Sequence, residues 1–141
     1  MKTKIIKVIA LALLVIIAVP SCSKYEEGPK FSLLSKKARL AGEWKIENVS
    51  TNGTDQTADV KALVGDSYVL TLTKDEKYKV SGNFTDEGTY KWGEDKDDIY
   101  LTSNTAGSKE VAYRILRLKS KELWLRTTAA NGDKTITKYK Q

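Results

Sequence analysis

Histidine does not occur in this chain. Its absence removes the usual general base and the commonest metal ligand. There is a single cysteine, Cys22, so no intramolecular disulfide can form. The one long apolar run, Val8 to Val19, covers twelve residues, short of the roughly 20 that a bilayer-spanning helix needs. No cluster of basic residues supplies the electrostatic footprint of a nucleic-acid binder. The acids Asp86, Glu87, Glu94, Asp95, Asp97 and Asp98 fall in turn-like stretches, and "EDKDD" does not fit a calcium-binding EF-hand loop. Paired glycosidase carboxylates would have to face one another across a cleft, which this spacing does not imply. The expectation is a non-enzymatic protein without a cofactor or a metal.

What the N-terminus does have is ordered. Lys2, Lys4 and Lys7 precede the apolar run, and Pro20, Ser21 and Cys22 follow it. Positive residues, an apolar stretch and a small-residue cleavage site make a secretory signal over 1–21. An unpaired thiol would be a liability in an exported protein, and the charged neighbours of Cys22 argue against burial. Val19-Pro20-Ser21-Cys22 resembles the lipobox of bacterial lipoproteins. The resemblance implies that Cys22 is acylated and becomes the new N-terminus. Two or more acyl chains give lasting attachment, since each buried CH₂ contributes roughly 0.8 kcal/mol. The expected partner at this end is therefore a membrane, with the protein lipid-anchored to the outer membrane of a cell envelope. Residues 22–30, "CSKYEEGPK", read as the lipidated cysteine and an exposed tether. Glu26 and Glu27 lie just behind the cysteine, where they resemble the signal that sends Bacteroidetes lipoproteins to the outer face. A plain solvated linker is the other reading, so both periplasmic and surface positions stay open.

Removal of 1–21 takes three lysines and no acids, leaving 120 residues with 21 basic and 18 acidic side chains. That is one domain, 31–141, long enough for one core. Residues 31–41 read as a short helix with Leu33, Leu34 and Ala38 on one face and Gly42 as its stop. From Trp44 the period changes to two. Strands are expected at 43–50, 68–73, 77–84, 89–93, 98–103, 111–118, 123–129 and 134–140. Short polar connectors between them, among them "TDEG" at 85–88, favour hairpins. Only 51–67 is long, and it could form a helical turn or a lid. In "VAYRILRL" the apolar set changes phase between Ile115 and Leu118, which a bulge would explain. Eight sequential antiparallel strands with one apolar face hide their edges by closing into an up-and-down barrel. A sandwich would need crossing connections that these loops do not offer.

Gly42-Glu43-Trp44 resembles the Gly-X-Trp motif that opens the first strand of lipocalins. The stretch from Tyr68 to Thr102 and "YRILRLKSKELWLR" are similar to the compact lipocalin-like domains of Bacteroidetes lipoproteins. The resemblance implies a barrel closed at its base by Trp44, with Arg126, the last arginine of the chain, as the cation stacked on it.

Alternation sends Tyr68, Leu70, Tyr78, Val80, Phe84, Tyr90, Trp92, Ile99 and Leu101 inward. They either fill the interior or line a cavity for a small hydrophobic or aromatic ligand, with 51–67 across its mouth. Trp124, Tyr100 and Tyr139 fall on the opposite faces. As scattered exposed aromatics they need no function; as a stacking platform they would suit a non-catalytic interaction or glycan-binding module with no internal ligand. The anchor is directly testable. Cys22→Ser should yield a protein that carries no lipid and leaves the membrane fraction, and persistence in that fraction with lipid attached would refute acylation at this residue.

Overall fold

A computed structural model describes residues 33–141; the signal stretch, Cys22, the tether and Phe31 lie outside the described residues. The described chain is all-β apart from two short helices. Helix α1 is Lys36–Leu40, and β1 is Gly42–Thr51. The two-residue β2 (Thr54–Asp55) turns back on the end of β1, and α2 is Thr57–Val64. Then come β3 (Val69–Leu72), β4 (Lys77–Ser81), β5 (Asp86–Trp92) and β6 (Asp98–Ser103). The last three are β7 (Val111–Leu118), β8 (Glu122–Thr128) and β9 (Lys134–Lys140).

From β3 to β9 each strand pairs antiparallel with the next, and β1 pairs with both β3 and β9. The result is the closed eight-stranded up-and-down barrel that the alternation implies, a lipocalin-like fold. β1 divides its length between two partners: Gly42–Trp44 bond to β3, and Lys45–Thr51 bond to β9. A shift of register between Ile46 and Asn48 bends the strand where the partnership changes. A second shift lies between Ile115 and Arg117, so Ile115 and Leu118 both face inward, as the change of phase in β7 predicts.

Helix α1 is shorter than the periodicity implies. Ser35 is extended and its hydroxyl accepts the Ala38 N–H at 3.1 Å, so the helix starts after Leu33 and Leu34, which are exposed. Leu40 is the residue it buries, completely. Five residues do not make a stable helix in isolation, so tertiary contacts hold this one. Lys36 pairs with Asp97 in the β5–β6 turn at 3.3 Å, and Lys37 with Glu76 in the β3–β4 turn at 3.2 Å. The Arg39 guanidinium donates to the Leu118 carbonyl at the β7–β8 turn over 2.7 Å. One helix is thus stapled to all three hairpins at its end of the barrel. The Trp44 indole N–H donates to the Leu40 carbonyl at 2.8 Å, and ring and helix together form a plug.

Above the plug, Leu72, Tyr90, Ile99, Leu118 and Leu123 are buried together in a packed base. The Tyr90 hydroxyl donates to the Thr73 carbonyl at 2.7 Å, and its ring meets Trp92 edge-on with centroids 6.4 Å apart. Arg126 does not share this environment. Its neighbours Leu123 and Leu125 face inward, so Arg126 stands on the outer face between Arg114 and Ile136, level with Ser50 rather than with Trp44. The stacking expected of it is therefore not made. Trp44→Ala should destabilise the fold by about 3–5 kcal/mol, read from the urea midpoint. Lys37→Ala, which removes an exposed ion pair, should cost no more than about 1 kcal/mol.

Candidate functional site

The half of the barrel away from the plug is not filled. It contains a cavity of about 350 Å³. Tyr68, Leu70, Tyr78, Val80, Phe84 and Leu101 line it as alternation implies. Tyr90, Trp92 and Ile99 do not; the register of β5 and β6 places them at the level of the packed base. Leu125, on the inward alternation of β8, also lines it; the rest of the lining is not evident from apolar periodicity and includes Asp86, Ser103, Tyr113 and Tyr139. Tyr113 could have been found from its place two residues before Ile115 on the inward face of β7.

Three local features shape the space. First, β5 begins at Asp86 rather than Thr89, so 85–88 is largely strand and the turn lies at 82–85. Asp86 and Gly88 face inward with Tyr90 but carry no apolar signal. Gly88 is needed there: a Cβ on it would lie 2.8 Å from the Tyr78 ring and 2.0 Å from the Thr102 carbonyl oxygen. Second, the altered boundary leaves Phe84 in the turn, where it is 50% exposed at the rim instead of buried in the barrel. Third, Tyr139 faces inward, contrary to the alternation of apolar residues in β9. It pairs with Ile46 and Leu123, so the polar Thr135 and Thr137 share its inner face while Ile136 turns outward.

The mouth lies between the β4–β5 turn and the β6–β7 loop, where Phe84, Ser108, Lys109 and Val111 are exposed lining residues. The expected lid is elsewhere. Among the described residues none of 51–67 lines the cavity, and α2 instead lies along the flank. At its start the Thr57 hydroxyl accepts the Val49 N–H at 2.9 Å and donates to the Asp55 carboxylate at 2.6 Å. At its end the Asn83 N–H donates to the Val64 carbonyl at 2.7 Å, an approach that a Cβ on Gly82 would block, 2.4 Å from that oxygen. The helix braces β1 against the β4–β5 turn.

The polar groups of the cavity form two sets. Asp86 receives the Tyr78 hydroxyl on Oδ2 at 2.6 Å and the Ser103 hydroxyl on Oδ1 at 2.5 Å. These bonds, from Ser103 and Tyr78, hold its carboxyl below the usual range. Across the space, Tyr68, Tyr113 and Tyr139 bring phenol groups to the lining. Burial raises the phenols of Tyr68, Tyr113 and Tyr139, and together with Asp86 pushes that of Tyr78 up to about 12. In the base, burial likewise pushes Tyr90 up to about 12. The wall between these sets is aliphatic. A molecule with an apolar body and a small polar group fits this arrangement.

Outside the barrel, Trp124 is covered by cations, with the Lys138 ammonium 4.0 Å and the Arg117 guanidinium 5.0 Å from its ring centre. The Lys91 ammonium lies 5.6 Å from the Tyr100 ring centre. With Tyr139 inside, the expected platform reduces to two rings already in contact with cations. No group of three or more acidic or cysteine side chains suited to a metal occurs among the described residues. In comparisons with known proteins, no family model and no curated protein matches the chain.

The raised phenols define an alkaline limit. In the unfolded chain tyrosine ionises near about pH 10, so between there and about 12, where Tyr78 and Tyr90 titrate when folded, only the unfolded state has lost its protons. Stability should therefore fall as pH rises through this window. Urea midpoints should decrease above about pH 10, and the tyrosinate absorbance of the folded protein should lag behind that of the unfolded chain.

Proposed function

We propose that this protein is a non-catalytic, lipocalin-like carrier that binds a small hydrophobic or aromatic molecule within its barrel. The observation that carries the reading is the cavity of about 350 Å³, bounded by Leu70, Val80, Leu101 and Leu125 and open between two loops. Its size lies at the small end of ligand pockets, which span roughly 300–1,000 Å³. The resemblance of the N-terminus to a lipobox supports a place in the cell envelope, with the carrier attached to the outer membrane through acyl chains on Cys22. The resemblance of the tether and the strand sequences to lipoproteins of Bacteroidetes supports the same reading. Reaction chemistry has little to draw on, since Asp86 in the cavity is held ionised and no imidazole exists in the chain.

The test is occupancy. Purified protein incubated with envelope extract should carry a small molecule in native mass spectrometry, and it should enhance the emission of the neutral apolar dye N-phenyl-1-naphthylamine. Leu101→Trp, which puts an indole into the space, should weaken dye binding by roughly tenfold or more, about 1.4 kcal/mol. A protein that emerges empty and leaves the dye dark would end the carrier reading.

A further inference from the structure

The interior of the cavity carries one formal charge that no ion pair neutralises. Asp86 is half-buried in the wall, and among the described residues it makes no salt bridge; its partners are the neutral hydroxyls of Tyr78 and Ser103. A carboxylate offers about four acceptor sites, so about two are unfilled. Lys109, the lining residue of opposite charge, stands exposed on the β6–β7 loop at the rim. Hydroxyl oxygens of Tyr68, Tyr113 and Tyr139 complete an interior rich in acceptors.

This asymmetry selects among ligands. A protonated amine entering the barrel exchanges water for a carboxylate and phenol oxygens, and a hydrogen bond between charged groups is roughly twice as strong as a neutral one. An anion of the same shape meets the Asp86 charge at short range and is repelled. Two aliphatic walls and the limited volume leave room beside the carboxylate for one or two fused rings.

We propose that the cavity recognises an organic cation: a small aromatic or aliphatic body bearing a protonated amine that docks on Asp86. The inference rests on the carrier reading and gives its ligand a chemical class. The test uses three probes that share one ring system, namely 2-(1-naphthyl)ethylamine, the corresponding alcohol and 1-naphthylacetic acid, titrated calorimetrically into the full-length protein. The amine should bind roughly tenfold tighter than the alcohol, and the acid weakest. Asp86→Asn, which keeps the shape and an acceptor for Tyr78, should bring amine and alcohol within about twofold of each other. Glu47→Gln, which neutralises an acid outside the cavity, should leave the amine preference in place. Equal binding of amine and alcohol to the unaltered protein would overturn the cation proposal and leave the carrier reading standing. Tightest binding of the acid would overturn it too, and would move recognition to Lys109. If none of the three binds, this inference falls, and the dye titration decides the carrier reading separately.

Discussion

Everything in this domain depends on the ladder between β1 and β9. Without it the eight strands are an open sheet with two long edges and a single apolar face, and neither the plug nor the cavity has an enclosure. Closure requires β1 to serve two neighbours in turn, and the shift at Ile46 to Asn48 is where it changes sides. The bend frees the upper edge of β1 on the β3 side. There β2 and α2 attach, through Thr57 and the backbone of Val49. A segment that reads as a lid is thus occupied in bracing the wall.

The two halves of the barrel are packed by different rules. Below, large apolar side chains meet with their few polar atoms assigned: indole to the Leu40 carbonyl, Tyr90 hydroxyl to the Thr73 carbonyl, Arg39 to the Leu118 carbonyl. The Arg39 Nε is the buried side-chain nitrogen without a hydrogen-bond partner among the described residues. Above, tyrosines replace aliphatics, a glycine makes room for Tyr78, and an aspartate enters the wall. Dense apolar packing sits in the base and polar chemistry in the upper half.

Strand count, order and closure were legible because alternation in Trp44 to Ile46, Leu70 to Leu72, Tyr78 to Val80 and Leu123 to Leu125 is a direct projection of the inward face. Even the bulge in β7 announced itself as a change of phase. Height along the barrel axis was not legible. Tyr78 and Tyr90 are both inward aromatics, yet one lines the cavity and the other seals the base, because inter-strand register decides this and alternation does not record it. Asp86 was hidden because an inward acid beside a glycine has the composition of a turn. Tyr139 was hidden for the complementary reason: two threonines share its face and an isoleucine occupies the other.

The hairpins alternate between the ends of the barrel, so α1 and the last residue, Gln141, lie together beside the closed base. The Gln141 N–H bonds to the Lys121 carbonyl, and its side chain crowds Gly42. The mouth is at the far pole. The described chain therefore begins beside the sealed pole, and the aperture lies at the opposite one. Any molecule that enters the cavity passes the pole opposite α1, away from the helix's contacts with the three hairpins.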